Sequence, residues 1–316
     1  MKEISCCLFL LLSISVLSQE KFAKEFSFVN DNDLYVSISK DRYYTNGMFL
    51  TYRHLTKNNN EKLAKKIYEW QVGQYMYTPF KAVITSVKLH DRPFAAYLYG
   101  SFGINRIYKN NSTLKTSLQI GVIGPAAYGE ELQGFIHDIY NFSPAVGWKY
   151  QIKNAFGINL NASYNKFLIS TDDSYFDIHW INDIKVGTVF TNLSTGFYTR
   201  IGFKPLQSII NSIGFNTSLN NDTTNQNRVL ESFLYFKPII RYSHYDATIQ
   251  GSFLNKNSDV TKELYPIVFD LELGVKFTVN RFNFGYVFNY NTNKSKDLRI
   301  TSGHSYGSII LSYLIR

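Results

Sequence analysis

The segment "RFNFGYVFNYN" sets Phe282, Phe284, Tyr286, Phe288 and Tyr290 on one side of an extended chain, with Asn283, Gly285, Val287 and Asn289 on the other. The same two-residue period returns in "LELGVKFTVN" (Leu271 to Asn280) and in "FGINLNASYN" (Phe156 to Asn165). In the last strand Ile309, Leu311, Tyr313 and Ile315 oppose Ser308 and Ser312. Alternation over about ten residues, with Gly, Asn and Ser on the polar side, is the signature of an outer-membrane barrel. A soluble sandwich also alternates, but its strands run nearer ~5–6 residues. Aromatics make up 16% of the chain, with 24 Tyr and 25 Phe, and these residues favour strands. Tyr43, Tyr44, Tyr97, Tyr99 and Tyr290, at strand ends, suit an interfacial girdle.

The expected fold class is therefore all-β: a transmembrane antiparallel β-barrel with a short helix in an extracellular loop. The pattern predicts strands at 22–32, 44–55, 67–78, 95–108, 113–124, 155–170, 175–190, 193–204, 231–250, 265–279, 282–293 and 304–315. That makes twelve, an even number, as bacterial barrels require. The polar stretch 205–229 fits least well: two small strands are hidden there, or the strand boundaries are misplaced. "EKLAKKIYEW" (61–70) could open with a helical turn. "GEELQGFIHDIYN" (129–141) is the better helix, with Glu130 and Glu131 in its first turn and i, i+3, i+4 spacing.

The N-terminal "MKEISCCLFLLLSISVLSQE" reads as a secretory signal peptide over 1–18, leaving 19–316 as a single outer-membrane barrel domain. Both cysteines, Cys6 and Cys7, fall inside it, so the mature chain has neither disulfides nor thiol nucleophiles. The net charge of +9 suits either a solvated surface or anionic lipid headgroups. The basic residues are dispersed, which argues against nucleic acid. The composition leaves the oligomeric state open.

Three polar clusters interrupt the pattern. The first runs through "NDNDLYVSISKDRYYTNG" (30–47), the second through "HDRPFAAYLYG" (90–100), and the third through "GPAAYGEELQGFIHDIYN" (124–141). Strand counting puts all three on odd-numbered connections, which share one rim of an even barrel. Gln133 lies one helical turn before His137, on the same face. A neutral imidazole can take a proton from water near neutral pH, as ester hydrolysis requires. Oxygens of Asn32, Asp33 and Thr45 are hard ligands suited to Ca²⁺, which could polarise an ester carbonyl. Turn chemistry is the plain alternative for Asn30–Asp33. "GHSYG" (303–307) matches G-x-S-x-G around Ser305 and keeps a serine-type phospholipase in play, although the motif acts only at a strand-to-helix elbow. A porin or structural barrel is the non-enzymatic alternative.

At these clusters the chain resembles the outer-membrane lipid A 3′-O-deacylase family, in "NDLY" (32–35), "DRYYTNG" (41–47), "DRPFAAYLY" (91–99), "GVIGPAAYGEELQGFIH" (121–137) and "GWKYQIKN" (147–154). The resemblance implies a twelve-stranded barrel that removes an acyloxyacyl chain from lipid A with Ca²⁺, at the extracellular rim. His137 matches the family's catalytic histidine. Asn32 and Asp33 match its Asn-Asp pair for metal binding and catalysis, although "NDND" offers Asn30-Asp31 as a second match. Thr45 and Gln133 match its threonine and glutamine, and Lys81 corresponds to a substrate-contacting lysine. Ala96 stands where the family has glycine. Residues 138–143, "DIYNFS", lack the glycine found after the histidine in some members.

Overall fold

The computed structural model describes residues 21–36, 42–81, 83–142, 144–224 and 228–316. The signal-peptide segment 1–18 and Asp41 lie outside the described residues. Twelve antiparallel strands close into one barrel. They are β1 (Lys24–Asn32), β2 (Tyr43–Thr56), β3 (Leu63–Thr78), β4 (Ala95–Tyr108), β5 (Ser112–Ile123) and β6 (Ala155–Ser170), then β7 (Phe176–Gly187), β8 (Phe190–Gly202), β9 (Ser232–Asp246), β10 (Ile267–Val279), β11 (Phe282–Asn291) and β12 (His304–Ile315). β1 pairs with both β2 and β12, which closes the wall and leaves no open edge. Among the described residues two α-helices are added, α1 (Gly129–Tyr140) between β5 and β6, and the short α2 (Ala247–Gln250) after β9.

The alternation sorts side chains as the sequence demands. Phe156, Leu160, Leu273, Val279, Ile309 and Tyr313 are exposed on the outer wall, where lipid solvates apolar groups and no backbone polar group is left unpaired. The opposite phase turns charge inward. Arg53 bridges Glu25 and Glu69 at 2.6 Å each, Lys115 joins Glu69, and Lys237 holds Glu272 at 3.0 Å.

Several expectations are corrected. Tyr43, Tyr44, Tyr97 and Tyr99 form no girdle, because all four are buried. Tyr97 and Tyr99 pack inside the barrel with Phe49 and Phe190. In "AAYLYG" both phases are apolar, so hydropathy alone does not say which side faces in. Residues 61–70 form no helical turn: β3 already starts at Leu63, and Lys65 points inward, where its Nζ donates to Asn211 Oδ1 (3.1 Å) and Thr217 O (3.0 Å). β9 stops at Asp246, whose side chain accepts from Thr248 N and starts α2.

Segment 203–230 contains no strand among its described residues. It folds into the lumen from the end where the termini lie. Ile213, Phe215 and Leu219 are buried there, and Asn220 N donates to Phe22 O. Ser212 Oγ and Ile213 N donate to Glu231, at 2.8 and 2.6 Å. Its polar groups bond to one another, as Thr217 Oγ1 does to Ile209 O and Asn220 to Asn211, and to the barrel wall, as burial of irregular backbone at membrane depth requires.

Candidate active site on the outer wall

The β1–β2, β3–β4 and β5–β6 connections emerge at the end of the barrel opposite the termini, so the three polar clusters share that end. Register then places their residues on a particular face. Phe26, Phe28, Leu50 and Val72 are exposed on the outer wall. In the same phase, nearer the loop end, stand Asn30 and Asn32 on β1, Asn46 on β2, Met76 on β3 and Ala96 on β4. Asn32, Asn46, Met76 and Ala96 are successive cross-strand partners. This row spans three strand spacings, roughly 14 Å. A β-bulge at Thr45 resets the phase of β2, so Tyr44 faces the lumen while Asn46 faces out.

The α1 segment caps the far end of the row. Gly124 turns the chain at φ 100, and a Cβ there would lie 2.7 Å from the backbone of Ile152, Lys153 and Asn154. Pro125 opens the following turn and Ala127 is fully buried. Gln74 Nε2 donates to Ala127 O at 2.6 Å and pins the segment to the wall. Gly129 starts α1 against Trp148 and Ala96; a Cβ at 129 would lie 2.5 Å from the Trp148 ring and 2.6 Å from the Ala96 methyl. The methyl of Ala96, where the resembling family has glycine, fits because residue 129 has no side chain.

Trp148 then sets the polar geometry. Its Nε1 donates to Gln133 Oε1 at 2.7 Å, which turns the Gln133 amide nitrogen toward His137 Nε2, 3.4 Å away. An amide nitrogen only donates, so this arrangement asks for a lone pair on Nε2 and the proton on Nδ1. Gln133 and His137 are both buried, and the His137 ring meets Phe142 edge-on at 5.6 Å. Asn141, left-handed at φ 54, ends α1.

At the other end of the row Asn32 caps a short turn over Asp33–Tyr35, its Oδ1 accepting from Leu34 N at 2.8 Å. Asp33 is 1% exposed and its Oδ2 accepts from Arg42 N at 2.7 Å. Asn30 and Asp31 are split between the two faces of the wall. Asn30 is tied to Gly47 O and accepts from Tyr35 Oη, whereas Asp31 accepts from Tyr44 Oη inside the barrel. Thr45 Oγ1 and Thr78 Oγ1 share a hydrogen bond of 2.6 Å.

The structure thus joins Gln133 to His137, and Thr45 to Thr78, and sets Asn32–Asp33 on the same wall. Lys81 lies exposed on the β3–β4 connection, its Nζ 5.2 Å from the centre of the Phe80 ring, and the described contacts do not link it to His137 or Asp33. Asn46 is the residue whose importance the sequence hides. It is 2% exposed, and its Oδ1 is buried without a hydrogen-bond partner beside Asn32. Only the bulge and the register reveal that.

Ser305 gains no nucleophile elbow. It lies in extended β12, and no helix follows. His304, its neighbour, turns to the opposite face, with Nε2 3.2 Å from Tyr44 O.

No curated protein sequence matches the chain. Among solved structures, LpxR from Salmonella typhimurium superposes with a TM-score of 0.73 at 19% identity, covering 92% of this chain and 100% of that one. The β domain of the Bordetella autotransporter Brka gives a TM-score of 0.48 at 7% identity, covering 93% of this chain and 99% of that one. The family model described as outer membrane protein LpxR matches residues 4–315, nearly the whole sequence. The five motifs point to the same family, and the chain belongs to the LpxR family of outer-membrane proteins.

Proposed function

We propose that this barrel is a lipid A deacylase, hydrolysing an acyloxyacyl ester of lipid A with His137 as general base. The observation that carries this reading is the outward placement of the site. Gln133, His137, Asn32 and Asn46 stand on or over the outer wall, next to lipid, and not in the lumen. A lipid ester at headgroup level can reach such a wall sideways, in the outer leaflet where lipid A resides. The lumen, by contrast, is obstructed by 203–230 at the end of the termini and by α2 near the other end, which does not suit a porin.

Trp148 and Gln133 orient the imidazole, and the Nε2 lone pair accepts a proton from water. The contact at 3.4 Å is long and gives way readily to a water molecule. The donor set opposite is all oxygen: the Asp33 carboxylate, the Asn32 and Asn46 amides and the Thr45 hydroxyl. The unpartnered Asn46 Oδ1 is what a hard cation asks of a wall, so these residues fit Ca²⁺. Bound there, Ca²⁺ would supply Lewis-acid polarisation of the ester carbonyl. The split of Asn30 from Asp31 favours Asn32-Asp33 as the working pair. Phosphates of lipid A suit the basic surface, with Lys81 as a contact at the rim.

The test uses purified protein in detergent with lipid A. Acyl release should require Ca²⁺, stop with chelator and resume on repletion. Release that ignores chelation would remove the cation from the mechanism, and absence of release would overturn the deacylase reading.

A further inference from the structure

We infer that an apolar groove on the outer wall beneath this site seats the hydrocarbon chain of the ester being cleaved, and that its far end sets the preferred chain length. This inference rests on the deacylase reading above. The groove encloses about 600 Å³. Leu50 and Val72 flank it on one side and Ile120 on the other, with Gly100 between them as its floor. Toward the termini it is closed by Trp70 and Phe102, whose rings pack 4.5 Å apart.

Its position gives it an occupant. Ala96 lies under α1, and Gly100 is four residues further down the same strand, roughly 13 Å away. One cross-strand row, Met48, Gln74, Leu98 and Val122, separates groove from site. Gln74 in that row holds the α1 segment, so the helix bearing Gln133 and His137 overhangs the head of the groove. A lipid ester held at His137 has its alkyl chain pointing down this wall into the membrane.

Neighbouring lipid tails are as apolar as the groove, so the chain gains no hydrophobic energy by entering it. What the groove offers is shape. A fixed chain fixes the ester at its head, and misplacing a reacting group by an ångström costs ~10²-fold in rate. Gly100 makes the space. A Cβ added there would meet nothing within 4 Å, so packing does not explain a glycine at this strand position.

The experiment compares the intact protein with Gly100→Leu and Trp70→Ala in mixed micelles. The probes are lipid A analogues in which the ester to be cleaved carries a hexanoyl or a myristoyl chain. Gly100→Leu fills the groove and should lower kcat/KM for the myristoyl analogue on the order of tenfold, with the hexanoyl rate nearly unchanged. Trp70→Ala removes the end stop and should favour longer chains. Trp70→Ala decides the matter if Gly100→Leu fails to fold. Unchanged chain-length ratios in a folded, active variant would overturn the groove inference and leave the deacylase reading standing. If the parent protein cleaves neither analogue, both fall.

Discussion

His179 and His137 sit in opposite settings. His179 lies inside the barrel, fully buried, with Nε2 3.0 Å from Asp177 Oδ2 and its ring against Phe215 of the inward-folded segment. Arg200 binds Asp177 and donates to Ser212 Oγ at 2.6 Å, and Ser212 donates to Glu231. Serine, histidine and two carboxylates are thus all present within one network. His137 keeps different company: Gln133, which Trp148 holds in turn, and the Phe142 ring. Yet the groups of the lumen cluster bind one another against 203–230, whereas His137 is carried by α1, whose first residue packs on Ala96 of the outward-facing row. Catalytic residue types do not make a site unless the substrate can reach them. The lumen network ties segment 203–230 to the wall through Arg200, Asp177, Ser212 and Glu231.

The sharpest way to break this comparison is to exchange the two histidines separately. His137→Ala should lower deacylation by about 10²–10⁴-fold, the usual contribution of a general base, while the folded band in heat-modifiability gels persists. His179→Ala should leave kcat of the folded fraction unchanged. Next, Arg200→Ala strands Asp177 and Glu231 in the wall and should destabilise by about 3–5 kcal/mol, seen as an earlier urea unfolding midpoint in detergent. An equal loss for a conservative change in the outer-wall row would erase the distinction. Asn46→Ala should separate function from stability. It removes a buried unsatisfied oxygen, so the fold should gain about 1–3 kcal/mol, while half-maximal activity requires roughly tenfold more Ca²⁺, the equivalent of about 1.4 kcal/mol. A variant that loses stability and keeps its Ca²⁺ response would contradict that role.

The smallest effect belongs to His90, on the β3–β4 connection. Its Nδ1 donates to Ser86 O at 2.9 Å, and burial lowers its pKa below 6.5, with Lys262 acting in the same direction. The folded state then binds fewer protons than the unfolded one. Its contribution is fully present above pH 6.5 and is lost as the pH falls below that value. Thermal melts at pH 7.5 and 5.5 should show a drop that His90→Gln reduces, with no change in kcat at pH 7.5.

The barrel was legible wherever hydrophobic and polar residues truly alternate, as in β6, β10, β11 and β12. It blurred where both phases are apolar, as at Ala95 to Tyr99, and where Lys65 turns a charge inward toward a segment far away in sequence. The segment 203–230 was illegible because "SIINSIGFNTSLN" carries no period of its own; its polar atoms pair partly with one another and partly with the wall, as Asn211 does with Asn220 and Lys65. For the candidate site, strand parity put the three polar clusters at one end of the barrel, where the structure also has them, and the register adds which face each strand residue takes. Asn30 and Asp31 divide because side chains alternate. Asn32 and Asn46 align because of a one-residue bulge at Thr45, which leaves no composition signal.

Mass spectrometry of lipid A from cells expressing the parent protein or His137→Ala tests the central claim most directly. The account predicts that the parent sample loses the mass of one acyloxyacyl chain, while the His137→Ala sample keeps the unmodified mass with equal amounts of folded barrel. Unmodified lipid A in both samples, or the same mass loss in both, would contradict it.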